Sequence, residues 1–118
     1  MQAPTQFTER EAVVLLSFCL LALRREISKK EAAARCSSDL RRLAVKSGYS
    51  INGSFRSESG IRGRLDAMES AWRGQTISTP ASSLFLEVVN TYRNDYQRYK
   101  QILDGVKEII SREDDGKT

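Results

Sequence analysis

Residues 8–26 read TEREAVVLLSFCLLALRRE, and this stretch decides the fold. Thr8 with Glu11 three positions later has the spacing of a capping box, so a helix is expected to begin after Thr8 and to end near Glu26. Apolar side chains cover almost every side of that helix, at Val13, Val14, Leu15, Leu16, Phe18, Leu20, Leu21 and Leu23. A helix that is apolar all round packs against neighbours on several faces. The first predicted helix therefore lies at the centre of a helical bundle.

Two more helices are predicted directly after the central one. Ser28 and Glu31 have capping-box spacing, and the second predicted helix covers residues 29–47 before Gly48. A cap at Ser57 or Ser59 begins the third, which runs to about residue 73. Its apolar stripe is Ile61, Leu65, Met68 and Trp72. The connecting residues 49–56 contain an Asn-Gly turn, and Ile51 and Phe55 are expected to reach the core.

The last part of the chain predicts one long helix or two shorter ones. Thr79 and Pro80 have the pattern of a cap followed by proline in the first helical position. Residues 93–95, Arg-Asn-Asp, favour a bend or a restart because Asn and Asp prefer caps to helix interiors. The final stripe is Tyr96, Tyr99, Leu103, Val106 and Ile110. With Tyr92 and Trp72, these aromatic residues are interpreted as core rather than as base-stacking platforms.

These elements predict an all-α fold, a compact bundle of four to five helices around the first one. The second and third helices are expected to form a helix-turn-helix-like element. The 118 residues suit one domain, with residues 1–7 flexible, residues 8–111 helical and residues 112–118 a charged tail or linker. The longest apolar stretch, residues 12–23, is too short to cross a bilayer. No membrane association is expected, and a cytoplasmic location is predicted.

Several classes of chemistry are disfavoured by the composition. The chain has no histidine, which removes the commonest general base and the usual nucleophile pairs. Its two cysteines, Cys19 and Cys36, lie in apolar helical patterns and lack the partners of a zinc site. No phosphate-binding glycine loop is present. The sequence therefore predicts no enzyme, no catalytic residue, no metal site and no cofactor.

Positive charge is concentrated in one third of the chain. Residues 24–64 contain eleven Lys or Arg and four acidic residues, a balance of +7, whereas the whole chain carries +4. Such a segment is typical of a surface that binds a polyanion. The residues expected to contact the DNA backbone are Lys29, Lys30, Arg41, Arg42 and Lys46. Arg24 and Arg25, beside the first interhelical turn, either support that contact or are simply solvated.

The beginning of the third helix carries the most informative surface. With Ile61 at the centre of the buried side, Ser59, Gly60 and Gly63 lie on the outward half, flanked by Arg62 and Arg64. Small outward residues let a helix backbone approach another surface, and helix N-termini attract phosphate. Arginine also reads guanine in the major groove. The predicted DNA-binding residues of this region are Arg56, Ser57, Ser59, Gly60, Arg62, Gly63 and Arg64. An alternative is that the glycines serve helix packing and that the arginines pair with acidic residues of their own helix.

A pattern over residues 55–65, Phe-Arg-x3-Gly-Ile-x2-Arg-Leu, resembles small N-terminal domains of bacterial restriction and phage-defence proteins of the HNH-endonuclease and helicase-linked types. Residues 68–71, 80–85 and 92–93 are similar to later stretches of such domains, although Ser57 stands where those domains usually have Asn. The resemblance implies recognition of double-stranded DNA in a defence setting, including modified DNA. For a modified backbone, Tyr49, Pro80 and Ala81 are candidate walls of an apolar pocket.

Two functions follow from the sequence. The first is a DNA-binding module of a restriction or defence system that uses the third helix and the surrounding basic residues. The alternative is an interaction or oligomerisation domain that uses the fourth and fifth helices, with other subunits of a defence complex or a second copy of the chain as partner.

Overall fold

The computed structural model describes residues 2–75 and 82–112 and contains five helices in those ranges. Their bounds are α1 Glu9–Leu23, α2 Lys29–Lys46, α3 Glu58–Trp72, α4 Ser82–Asn94 and α5 Tyr96–Ser111. The described residues form no β-strand; the one extended pairing in them is an isolated parallel bridge between Gln2 and Ser50. The predicted all-α bundle is confirmed. No helix in these ranges is both long and apolar enough to cross a membrane.

α1 is the centre of the bundle, as its all-round apolar pattern predicts. It packs against each of the other four helices, and its residues 11–16 are all buried. The core around it takes Leu40 from α2, Leu65 from α3, Phe85 from α4 and Val106 from α5. All five helices thus contribute to one continuous apolar core.

The helix starts follow the predicted capping residues, with one difference. Thr8 and Glu11 form the full capping box of α1, with each side chain bonded to the other residue's backbone N–H. At α2 the Ser28 hydroxyl caps the Glu31 N–H, but the carboxylate of Glu31 pairs with Arg35 instead of closing the box. An ion pair one turn along the helix competes for the same carboxylate.

The helix ends depend on backbone conformation. α2 and α3 stop before Gly48 and Gly74, whose φ angles of 92° and 74° lie in the left-handed region that glycine adopts readily. α1 ends at Leu23, three residues earlier than predicted, because Arg25 turns the chain with a φ of 61°. Asp95 separates α4 from α5 and caps α5 through the Arg98 N–H. The predicted α4 start at residues 79–80 lies outside the described residues.

The connection between α2 and α3 differs from the prediction of a helix-turn-helix-like element. α2 and α3 pack against each other, but the eleven residues 47–57 join them. The usual motif has a turn of about three or four residues. Ile51 and Phe55 are half-buried and lie outside the core, contrary to expectation. The pair is therefore a helix-loop-helix unit, and the loop needs its own anchors.

Residues 2–7 were expected to be flexible, but the structure gives them specific contacts. Gln2 bridges to Ser50, and the Phe7 ring meets the Phe85 ring edge to face at 5.9 Å between centroids. The carbonyl groups of residues 4–6 accept hydrogen bonds from Arg56. The segment is therefore attached to the bundle at several points. The predicted charged tail, beyond Arg112, lies outside the described residues.

Candidate nucleic-acid interface

The N-terminal end of α3 is an exposed surface of small residues. Ser57 is the N-cap, and its hydroxyl accepts a hydrogen bond from the Gly60 N–H at 3.4 Å. Ser59, Gly60 and Gly63 are exposed, as predicted from the position of Ile61 on the buried side. The prediction placed either Ser57 or Ser59 at the cap; the structure selects Ser57 and leaves Ser59 on the surface.

Gly60 and Gly63 are not used for packing between helices. A Cβ atom added at Gly63 would have no described neighbour within 4 Å, and one at Gly60 would meet only the Ser57 hydroxyl, at 3.4 Å. The alternative that these glycines allow close helix packing is therefore wrong for the part of the chain that the structure describes. No described residue of another helix lies against either glycine.

Arg62 and Arg64 differ in their exposure and in their contacts. Arg62 is exposed, and it forms no ion pair or hydrogen bond with any residue in the described ranges. Arg64 is half-buried, with its guanidinium carbon 5.5 Å from the centroid of the Phe7 ring. Asp66, one turn after Arg62, pairs with Lys29 of α2 instead. The alternative of ion pairs along α3 does not hold for these two arginines.

Arg56 was predicted to contact DNA, and the structure corrects this assignment. Its side chain is only 9% exposed and forms an ion pair with Glu11 of α1, which is 8% exposed. Arg56 Nε donates to Glu11 Oε2 at 2.7 Å and Nη2 donates to Oε1 at 3.0 Å. Further bonds go to the carbonyl oxygens of Pro4, Thr5 and Gln6. With its donors engaged inside the molecule, Arg56 is not available to a phosphate.

Two aromatic rings and a bond to α2 hold the same arginine in place despite a strained backbone. Its guanidinium carbon lies 4.4 Å from the Phe7 ring centroid and 4.5 Å from that of Phe55. Its φ of 48° is in the left-handed region, which costs a non-glycine residue about 1 kcal/mol or more. The Arg56 carbonyl accepts a hydrogen bond from Ser37 of α2 at 2.6 Å. Arg56 therefore anchors the residue next to the α3 cap to α1 and α2.

Arg41 is a second anchor of the connecting loop. Its Nη1 donates to the carbonyl oxygens of Asn52 at 3.0 Å and of Phe55 at 2.6 Å. The Asn52 side chain accepts from the backbone N–H groups of Ser54 and Phe55, which makes the turn predicted from the Asn-Gly pair. The loop before α3 is thus bonded to α2 on one side and closed on itself on the other.

A basic cleft lies beside this loop. The cleft has a volume of about 360 Å³. The described residues that line it include three cations and no acidic group: Arg41, Arg42, Val45, Lys46 and Ile51. Val45 is 56% exposed, an unusual position for a valine. The three cations were predicted as backbone contacts, Ile51 was predicted to reach the core, and Val45 was not singled out. The spacing of residues 41, 42, 45 and 46 puts them on one side of α2, a signal that the sequence contains.

The other predicted basic residues divide into paired and exposed ones. Lys29 pairs with Asp66 and lies 3.8 Å from a Glu69 carboxylate oxygen; the bond to Asp66 raises the pKa of Lys29. Lys30 is exposed and forms no hydrogen bond or ion pair with a described residue. Arg24 donates to the Tyr92 hydroxyl at 3.3 Å. Lys29 and Arg24 therefore serve the fold as well as the surface charge.

The aromatic residues of α4 and α5 pack on each other, as expected for a core stripe. Tyr92 meets Trp72, Tyr96 and Tyr99 edge to face, with centroid distances of 4.8–5.4 Å. The Tyr99 hydroxyl donates to the Val13 carbonyl at 3.3 Å, and burial raises the pKa of Tyr99. Tyr96 is the exception, since half of it is exposed.

Of the residues proposed for an apolar pocket, one can be placed. Tyr49 lines a largely apolar cavity of about 210 Å³ together with Leu40, Leu43 and Phe55. Pro80 and Ala81 lie outside the described residues.

Burial raises the pKa of both cysteine thiols, that of Cys19 to about 12. In the described ranges no three metal-ligating side chains come together.

Searches of protein-family models, curated proteins and solved structures found no match to this chain. The resemblance to restriction and defence domains therefore stays a prediction from the residues that carry it.

Proposed function

We propose that this chain binds double-stranded DNA through the N-terminal end of α3 and the adjacent basic cleft. The observation that carries the proposal is that no described residue of another helix packs against Gly60 or Gly63. Glycine in a helix interior costs about 1 kcal/mol relative to alanine, and here no described neighbour requires it. A surface that approaches the helix backbone from outside gives these two glycines a purpose.

The charge beside the glycines suits a polyanion. Arg62 is exposed, forms no hydrogen bond or ion pair with a described residue, and lies one residue from Gly63. Backbone N–H groups at a helix N-terminus attract phosphate, and an arginine beside them can clamp a phosphate or read a guanine edge. The Ser59 hydroxyl adds a donor on the same exposed surface. The proposed contact set of α3 is therefore Ser59, Gly60, Arg62 and Gly63, with Arg64 at its edge.

The internal anchors support the proposal by making this end of α3 rigid. Arg56 and Arg41 bond the residues directly before the cap to α1, α2 and the N-terminal segment. A contact surface that is held in place before binding loses less conformational entropy on association. Arg56 thus assists binding from inside the molecule without touching DNA.

The cleft residues would supply backbone contacts next to the α3 end. Arg41 and Arg42 line the cleft, and Arg41 is bonded to the loop that leads into α3. Phosphate contacts set register and affinity, whereas contacts to base edges set sequence preference. In this proposal α3 approaches a groove and the cleft residues hold the flanking backbone.

Salt dependence of binding tests the electrostatic part of the proposal. The measurement is fluorescence anisotropy of a labelled 20-base-pair duplex of mixed sequence, at 50 and 200 mM NaCl. If three or four phosphates are neutralised, affinity should fall about 40- to 150-fold between the two conditions. Folded protein that does not bind at 50 mM NaCl would refute the proposal.

A pair of variants with equal charge tests the α3 contact. Arg62→Ala should weaken binding by about 1–2 kcal/mol, roughly fivefold to thirtyfold, because it removes a direct contact. Lys100→Ala removes one positive charge from an exposed position of α5, where Lys100 pairs with Asp104. This control should change affinity by less than about twofold, the range of an exposed charge. Equal losses in the two variants would mean that only net charge matters and that α3 is not the contact.

The alternative of a protein-interaction domain is favoured by exposed apolar side chains on α4 and α5. Leu86 is 47% exposed and Tyr96 is 50% exposed. Phe18, Leu21 and Leu103 line an apolar groove of about 300 Å³ that Tyr96 borders. A molar mass that rises with concentration and falls in the Leu86→Ser and Tyr96→Ser variants would support this function. A monomer over the whole concentration range would exclude self-association through these helices.

A further inference from the structure

The C-terminal end of α5 adjoins the basic cleft. Arg42 Nη2 donates to the carbonyl oxygen of Ile110 at 3.3 Å, and Lys46 Nζ donates to that of Arg112. Two side chains of α2 thus satisfy carbonyl groups at the end of α5 that no helical N–H reaches. Both donors also line the cleft. The chain therefore leaves α5 in contact with two of the three cleft cations.

The sequence that follows this exit is acidic. Residues 113–115 are Glu-Asp-Asp and come directly after Arg112. A fully extended chain spans at most about 3.3–3.6 Å per residue, so chain length alone limits the Cα atom of residue 115 to about 11 Å from that of Arg112, whose carbonyl Lys46 binds. Among the residues that the structure describes, none of those lining the cleft is acidic. The segment and the cleft therefore carry opposite charges, and the segment is attached close enough to reach the cleft.

We propose that residues 113–115 of this chain occupy the basic cleft and compete there with DNA phosphates. Covalent attachment next to the cleft gives the segment an effective concentration in the millimolar range or above. Each exposed ion pair is weak, so the segment acts as a competitor that DNA displaces rather than as a permanent block. The competition rests on the proposed function, whereas the contact between segment and cleft does not.

A paramagnetic label tests the contact in the absence of DNA. Gly116→Cys carries the nitroxide, because Cys19 and Cys36 are buried and poorly reactive. We expect strong broadening of the side-chain Nε–H signals of Arg41 and Arg42 in 50 mM NaCl and much less broadening of that of Arg73. One molar NaCl shortens the screening length to about 3 Å and should restore the signals. Equal broadening of all three arginines, or none, would overturn the proposal.

The same label distinguishes the chain's own segment from that of a second copy. Unlabelled ¹⁵N-enriched protein is mixed with labelled protein that is not enriched, so that broadening reports contacts between molecules only. The proposal expects no broadening of Arg41 and Arg42 in this mixture. Broadening as strong as in the single-chain sample would show that the cleft takes the segment of another molecule, and would overturn it.

Two charge-matched triple variants test the competition. Glu113→Gln, Asp114→Asn and Asp115→Asn together should tighten binding to the 20-base-pair duplex about threefold to tenfold at 50 mM NaCl, the factor that one or two exposed ion pairs supply. The control is Glu26→Gln, Glu87→Gln and Asp104→Asn, all at exposed positions outside the cleft. Equal tightening in the two variants would attribute the effect to net charge and overturn the competition. Broadening of Arg41 in a chain that binds no DNA would confirm the contact and refute both the competition and the proposed function.

Discussion

At the scale of single residues, Arg56 departs most from the prediction: the sequence predicts a surface residue, and the structure buries its side chain. The sequence places this arginine beside Ser57 in a basic segment, which is the pattern of a surface residue. Its partner Glu11 is 45 positions away and already has a local role as the capping residue of α1. No local pattern contains that pairing, because it depends on where the loop crosses the start of α1. The same contact explains why residues 4–6 are bonded to the bundle.

The buried pair gives the first stability prediction. Glu11→Gln keeps the side-chain volume but removes the charge opposite Arg56, which leaves a buried guanidinium without its counterion. We expect the free energy of unfolding to fall by about 3–5 kcal/mol. The control Glu9→Gln removes a carboxylate of the same helix that is 50% exposed and 3.5 Å from Arg98; it should cost less than about 1 kcal/mol. Urea unfolding at pH 7 measures both, and similar small losses would contradict the anchor role of Arg56.

Asp39 gives a pH-dependent prediction. Burial raises the pKa of Asp39 although Arg42, Lys107 and Arg35 oppose the shift. The folded state therefore holds the proton at a higher pH than the unfolded state does. As the pH rises from below about 4, the usual aspartate value, through the raised folded pKa, this group lowers the stability of the fold. Asp39→Asn should raise the melting temperature at pH 7 and leave it unchanged at pH 3.

The control for this titration is Asp104→Asn, at an exposed position where the carboxylate pairs with Lys100. Removing that weak pair should lower stability slightly at pH 7, a change of the opposite sign. If Asp39→Asn raises the melting temperature equally at pH 3 and pH 7, the gain does not come from ionisation of Asp39.

At the scale of elements, the sequence predicts what local chemistry determines. Thr8, Ser28 and Asp95 begin helices, and Gly48 and Gly74 follow helix ends, each by a mechanism confined to a few neighbouring residues. The connection between α2 and α3 was less predictable. Its course depends on bonds from Arg41 and Arg56, which only the packed bundle brings near. For the site, helical periodicity predicts the exposure of Ser59, Gly60 and Gly63. The ion pairs of Arg56 and Lys29 are formed with residues of other helices, so periodicity does not predict them.

The glycines of α3 and α5 give a prediction at this scale. Gly63 and Gly105 are both exposed helix residues with no described neighbour within 4 Å of an added Cβ. Leucine forms helices better than glycine does, so Gly63→Leu and Gly105→Leu should each raise the free energy of unfolding by about 0.5–1 kcal/mol. DNA binding should separate the two variants. Gly63→Leu should weaken it about tenfold or more, the effect of roughly 1.4 kcal/mol of lost contact, whereas Gly105→Leu should leave it unchanged.

Two results would contradict the role given to the α3 surface. If Gly63→Leu is more stable and binds the duplex as well as the parent chain, no partner approaches the helix there. If Gly63→Leu loses stability, the glycine is needed by the fold itself, and its open surroundings no longer argue for an external partner. Chemical denaturation and anisotropy on the same protein samples distinguish these cases.

At the scale of the whole molecule, α1 makes the five helices one cooperative unit. Every other helix packs on it, so removal of any one exposes part of the same core. The two cysteines lie in different helices of that core: Cys19 in α1 is 3% exposed and Cys36 in α2 is 0% exposed. A reagent reaches either sulfur only after the surrounding helices separate. The thiols therefore report whether the bundle opens as a whole or in parts.

We expect both thiols to resist 5,5′-dithiobis(2-nitrobenzoic acid) at pH 8 in the native state. The thiolate is the reactive form, and burial raises the pKa of Cys19 to about 12 and that of Cys36 as well. In sub-denaturing urea the Cys19→Ser and Cys36→Ser variants isolate each remaining thiol. If the bundle opens as a whole, the reaction rates of the two thiols should rise together with urea concentration. Any difference between the two rates should then be no larger than the difference in stability between the two variants explains. A much faster reaction of Cys36 with little dependence on urea would show that α2 separates from the bundle on its own. The loop and the basic cleft beside α3 would then lose the rigid support that the proposed DNA contact requires.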